Sequence, residues 1–154
     1  MRGLSKFVVA GAMLVWAGGA VAGPLPAGGV TSQEVAGVMR GMKLSTEVTT
    51  DKDSDPLIYS SSGGRKFGVY FYQCKGPRCG SIQFSAGFEG AASFSLDKVA
   101  DWNRTKRFGR AYIDGDKLFV EMDMDVERGA TTEALANNFD RWVAVLEQFP
   151  KYFQ

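Results

Sequence analysis

Along the middle of the chain, apolar and polar residues alternate. In "SIQFSAGF", residues 81–88, Ile82, Phe84, Ala86 and Phe88 fall on one side and Ser81, Gln83 and Ser85 on the other, the period of a strand with one buried face. The preceding "KFGVYFYQ" repeats the pattern, with Phe67, Val69 and Phe71 against Tyr70 and Tyr72, so its second side is aromatic and not charged. "KLFVEMDMDV" sets Leu118, Val120, Met122, Met124 and Val126 against Phe119, Glu121, Asp123 and Asp125. Three further runs, "STEVTTD", "PLIYSSS" and "RAYID", are bounded by the turn signals "KDSD", "GGR" and Gly115-Asp116. Short runs punctuated in this way predict antiparallel hairpins, the first four strands forming a meander.

Three stretches switch to helical spacing. Thr31 with Glu34 forms a capping box, with Val30 and Val35 at staple positions, so a helix starts there. Val35, Val38, Met39 and Met42 are its apolar stripe and Gly41 its approximate end. A second helix is predicted from Ser95, stapled by Phe94 and Val99, through "LDKVADWNRTKR" to just before Gly109. Its acid, Asp97, lies near the positive end and Arg104, Lys106 and Arg107 near the negative end, as the helix dipole favours. A third, from about Thr131 to Phe149, carries Leu135, Phe139, Trp142, Leu146 and Phe149 on one stripe and stops before Pro150. The order α-β-β-β-β-α-β-β-α predicts an α+β fold, an antiparallel sheet with helices packed on one face.

The start of the chain has another character. Arg2 and Lys6 precede an apolar run from Phe7 to about Val21 that closes on Ala20-Val21-Ala22. This is the pattern of a secretory signal peptide, cleaved after Ala22. The run falls short of the roughly 20 residues a membrane span needs, so no stable membrane anchor is expected after cleavage. "GPLPAGG", within 23–30, reads as a flexible lead-in, and 31–154 as one domain. Losing residues 1–22 turns the formal charge from +1 to −1, which gives no global attraction to nucleic acid. The chain has no histidine, and so lacks the commonest general base and neutral metal ligand.

An exported chain meets an oxidising compartment, where paired cysteines end as disulfides. Cys74 and Cys79 flank Lys75-Gly76-Pro77-Arg78 between two strand runs, so a disulfide closing a hairpin end is the leading reading. Closing so short a loop contributes roughly 2 kcal/mol in the loop-entropy model. A redox role and a metal site are weaker readings. Thioredoxin-like enzymes place two residues between their cysteines at a helix start, and a structural zinc needs four ligands.

Other constellations have plain explanations. Asp51, Asp53 and Asp55 open like a calcium loop, but Pro56 stands where the sharp-turn glycine belongs and Ser62 where the bidentate glutamate belongs, leaving a polar turn. The row Glu121, Asp123 and Asp125 reads as an outer face paired with Arg110 or neighbouring bases. No nucleophile elbow and no phosphate-loop pattern occurs, and no cofactor is expected. "DWNRTKRFGR" is the densest basic stretch, a helix C-terminus or a contact surface for a partner.

The runs "DPLIYSSSGGRKFGVYFYQC", "CGSIQFSAGF", "WNRTKRFGRAYID" and "LFVEMDMDV", in that order and before an aromatic final helix, resemble the YbjN family over roughly residues 31–153. That family is described as regulating sensory transduction. The resemblance implies an α+β fold similar to type III secretion chaperones, and protein binding without catalysis; it supplies no catalytic residues. The reading is therefore a non-enzymatic, periplasmic or secreted regulatory module with an unknown protein partner, or with itself as a homodimer. The candidate contacts are Tyr70, Tyr72, Tyr112 and Phe119, with Trp102, Arg104, Arg107 and Arg110, because Tyr, Phe, Trp and Arg are enriched in interfaces. A small-ligand sensor or thiol redox factor is the alternative.

Overall fold

The computed structural model of the protein describes residues 23–90 and 94–154; the signal peptide read at 1–22 lies outside them. The elements are α1 (Ser32–Gly41), β1 (Glu47–Thr50), β2 (Pro56–Ser62), β3 (Arg65–Lys75), β4 (Arg78–Glu89), α2 (Leu96–Thr105), β5 (Arg110–Asp114), β6 (Lys117–Asp125) and α3 (Thr132–Phe153). The strands form one antiparallel sheet in the order β1-β2-β3-β4-β6-β5. The meander of the first four is as the turn signals predict. Gly63-Gly64 makes the two-residue β2–β3 turn with both residues at positive φ, the geometry a tight hairpin requires.

Register explains the layers. Ile58, Val69, Phe84 and Met122 stand in one cross-strand row and Phe71, Ile82 and Met124 in the next, all on the face that takes the helices. On α3, Trp142 stacks on Phe84 and meets Phe67 edge-on, while Phe139 packs edge-on to Phe84. Phe149 bridges Phe88 of β4 and Trp102 of α2. Side chains of this size, fully removed from water, stabilise by about 1.5–3 kcal/mol each, and a single core takes in all three helices. The architecture is α+β with the helices on one face of the sheet.

Helix starts follow the caps. Thr31 Oγ1 accepts from Glu34 N at 3.2 Å and Glu34 Oε2 accepts from Thr31 N at 2.8 Å; Val30 and Val35 are both buried. Ser95 and Thr131 cap α2 and α3 with one bond each, their hydroxyl oxygens accepting from Lys98 N and Ala134 N.

Three boundaries differ from the sequence expectation. α2 ends at Thr105, before Lys106 and Arg107, because Trp102 Nε1 donates to Gly109 O at 2.6 Å and draws the chain back across the helix. Gly109 has φ +83 and sits against Val120 and Val145, where a Cβ would clash. α3 runs on through Pro150 to Phe153; the last turn survives the missing N–H because Phe153 is buried among Phe94, Trp102 and Phe149. The cysteine loop tightens to Gly76-Pro77, with Lys75 opposite Arg78 and Cys74 disulfide-bonded to Cys79.

Residues 23–30, read as a flexible lead-in, are instead strapped down. Leu25 N donates to Ala130 O, Gly28 N to Glu127 O, and Val30 pairs with Cys79 in both directions. Arg78 clamps the strap, donating to the carbonyls of Pro26 and Gly29 and pairing with Glu34 at 3.2 Å. Burial would raise the Glu34 pKa, but the bonds from Thr31 N, Arg78 and the Thr31 hydroxyl outweigh it and hold the carboxyl below its ordinary value.

Candidate functional site

With the helices on one side, the other face of the sheet carries Tyr59, Tyr70, Tyr72, Tyr112 and Phe119, and among the described residues no helix covers it. The rings do not stand straight up. A Cβ added at Gly68 would meet the Tyr70 ring at 2.7 Å, and one at Gly87 the Phe119 ring at 2.9 Å. Glycine in these strands therefore leaves room for an aromatic ring to lie along the sheet. Tyr70 stands opposite Leu57, so this outward leucine is only 2% exposed. Tyr59 and Tyr72 remain 48% and 42% exposed.

Polar groups link the aromatic rows. Tyr72 OH donates to Gln83 Oε1 at 3.2 Å, and Gln83 Nε2 donates to Asp123 Oδ1 at 2.9 Å. At the β5 end, Arg110 Nη2 donates to Glu121 Oε2 at 2.6 Å and Tyr112 OH to Glu121 Oε1 at 2.7 Å. Tyr112 stacks on Phe119, with Arg110 over its ring. Glu121 is thus buried but paired and hydrogen-bonded, the condition under which a carboxylate tolerates burial.

This network sets the tyrosines' titration. Burial, the hydrogen bond to Glu121 and that carboxylate's charge push the Tyr112 phenol up to about 12. Tyr70 is raised first by burial, then by the charges of Tyr59, Asp51 and Glu121. Tyr72 is raised by burial and then by Glu121, Tyr70, Asp123 and Asp51. Beyond burial, the charges acting on Tyr70 and Tyr72 are all negative.

The sequence-predicted contacts divide. Tyr70, Tyr72, Tyr112, Phe119 and Arg110 come together on the helix-free face. Trp102 does not: it is 1% exposed, in the core under α3, and is withdrawn as a contact residue. Its helical spacing within "VADWNR", Val99 and Trp102 on one side, already marks a core position. Arg104 and Arg107 lie in the helical layer, Arg104 ion-paired with Asp101 and Arg107 over the Phe108 ring. Phe108 also lies under Arg141, and residues of α2, α3 and the loop between α2 and β5 line a separate basic cleft there. The basic stretch is therefore split between two faces.

Tyr59 and Gln83 complete the face, and neither is among the contacts the sequence predicts. Tyr59 lies in "PLIYSSS", whose alternation is interrupted by adjacent Leu57 and Ile58; the period of two from Tyr59 to Ser61 was the available signal. The acidic row resolves as expected for Glu121, paired with Arg110. Asp123 binds Gln83, and Asp125 accepts from Glu127 N at 2.9 Å. At the other end Asp51 Oδ1 accepts from the amides of Asp53 and Asp55 at 2.9 and 3.0 Å, an Asx turn that holds the β1–β2 loop beside Tyr59, Tyr70 and Tyr72. An aromatic, hydrogen-bonded surface of this kind can bury area against another molecule and orient it; its carboxylates are engaged in pairing and turn formation.

Comparison with protein-family models gives a match over residues 31–154, to YbjN, described as "Putative bacterial sensory transduction regulator". No curated protein and no solved structure matches.

Proposed function

The chain belongs to the YbjN family, and from that premise we propose an exported, non-enzymatic regulatory module that binds a protein partner through the helix-free face of its sheet. The observation that carries this reading is the exposure of Tyr59 and Tyr72 beside Tyr70, on a face whose rings are set in place by Gly68 and the Gln83–Asp123 strip. Rigid aromatic side chains bring large contact area at low entropic cost, which is why they dominate interface energetics.

Export rests on the basic start, apolar run and Ala20-Val21-Ala22 ending of the sequence. The Cys74–Cys79 disulfide supports it, since cystines persist in oxidising compartments. The location is periplasmic or secreted, with the signal peptide removed after Ala22.

The test is affinity capture from a periplasmic extract, with the disulfide-bonded chain from Gly23 onward as bait beside a Tyr72→Ala bait. One stoichiometric protein, lost with Tyr72→Ala, supports the reading. Absence of any such protein, with N-terminal sequencing of the native protein beginning at Met1, overturns both the partner and the export.

A further inference from the structure

At the β1 end of the helix-free face, a cleft of about 470 Å3 is lined by Tyr59, Tyr70, Tyr72, Leu57 and the β1–β2 turn. Leu57 forms a covered apolar floor. The three tyrosine rings form the walls, and Asp51 and Asp53 stand in the turn at the rim. The Asx turn at Asp51 fixes that rim relative to the rings. Lys52 pairs with Asp53 at 3.7 Å, but both side chains are largely in solvent, a contact that yields readily to a competing cation.

Aromatic faces and carboxylates select the same ligand charge. The π-face of a tyrosine attracts a cation within about 6 Å of its centroid, and an aspartate at the rim adds to that attraction. Asp123, bonded to the Gln83 amide, adds a carboxylate further along the same face. An anion meets two carboxylates, Asp51 and Asp53, against one base, Lys52, in the lining; an uncharged apolar group forgoes the carboxylates.

We infer that this cleft seats the lysine or arginine side chain of a basic segment of the protein partner, its alkyl stem against the exposed tyrosine rings and its charged end beside the Asp51–Asp53 turn. The inference rests on the protein-binding reading above. Charge complementarity selects the segment, and the volume has room for a side chain with its flanking backbone, more than one small ammonium ion fills. The Gln83 amide and Asp123, next along the sheet, offer hydrogen bonds to that backbone.

The experiment titrates the disulfide-bonded chain from Gly23 onward with a fluorescent Gly-Arg-Gly-Lys-Gly-Arg peptide, beside its Glu-substituted counterpart and choline chloride. The basic peptide binds, and Tyr72→Ala and Asp53→Asn each weaken it by roughly three- to tenfold. The acidic peptide does not bind. Circular dichroism of both variants matches the parent, because neither side chain belongs to the buried core. Binding of choline without the peptide overturns the peptide occupant. Binding of neither, or peptide binding indifferent to both substitutions, overturns the cleft. A partner captured equally by parent and Asp53→Asn baits, yet lost with Tyr72→Ala, sinks the cationic recognition alone and leaves the protein-binding reading standing. No captured protein removes that reading and this inference with it.

Discussion

The Asn103 side chain closes the open edge of the sheet at Ala111, its Nδ2 donating to Ala111 O at 2.9 Å and its Oδ1 accepting from Ala111 N at 2.7 Å. One carboxamide thereby stands in for a neighbouring strand on β5, the terminal strand on that side. Exposed edges otherwise invite pairing with other chains. Asn103→Ala removes both bonds and loses about 1–3 kcal/mol, read as a lower urea midpoint. Light scattering of the variant shows concentration-dependent association, whereas Asn103→Ala that leaves the midpoint unchanged contradicts the edge-closing role.

The Arg78 clamp joins the N-terminal strap to α1 and the β3–β4 hairpin. Arg78→Ala removes the bonds to Pro26 and Gly29 and unpairs Glu34, and a loss of about 1–3 kcal/mol follows from breaking a partly buried network. Hydrogen exchange localises the damage, with faster exchange at Leu25, Gly28 and Val30. The sign at low pH is also fixed. The folded pKa of Glu34 lies below its ordinary 4.5, so its contribution is present above that pH and fades as pH falls. Arg78→Ala flattens this acid limb.

Tyr112 gives a second pH signature. Its phenol ordinarily titrates at 10.0 and here at about 12, so between these values the unfolded chain loses the proton while the folded one keeps it. Stability is undiminished below pH 10 and falls as pH rises through that window. In an alkaline absorbance titration, the Tyr112 component appears near pH 12. Tyr112→Phe abolishes the latest component; its persistence excludes the Glu121 pairing.

Pro150 sits inside α3, where proline costs about 3 kcal/mol relative to alanine. Part of that cost is offset by the restriction proline places on the unfolded chain. Pro150→Ala therefore raises stability by about 1–2 kcal/mol, visible as a higher thermal midpoint, with the burial of Phe153 retained. A lower midpoint shows that the ring's own packing near Phe149 outweighs the lost helix geometry.

The strands and helix starts were legible because they rest on local signals. Period-two alternation separates Phe67, Val69 and Phe71 from Tyr70 and Tyr72, and side-chain oxygens at Thr31, Ser95 and Thr131 take the first amides of the helices. Helix ends and the strap were not legible in this way, because distant partners decide them. α2 stops where Trp102 finds Gly109; α3 continues because Phe153 has Phe94 and Trp102 to cover; "GPLPAGG" is ordered by Arg78, about fifty residues away. The candidate face was half legible. The tyrosines on β3 reveal its aromatic side, but only the tertiary fold separates Arg110, on the sheet, from Arg107, in the helical layer.

The most direct measurement is hydroxyl-radical footprinting of the captured complex, because exposed aromatic and aliphatic groups occur on both sides of the molecule. Tyr59 and Tyr72 report on the sheet face, and Phe108 and Leu96 on the helical layer. Protection of Tyr59 and Tyr72 with Phe108 and Leu96 unchanged is the expected result. Protection of Phe108 and Leu96 with both tyrosines still reactive places the partner on the helices and contradicts binding through the open face of the sheet.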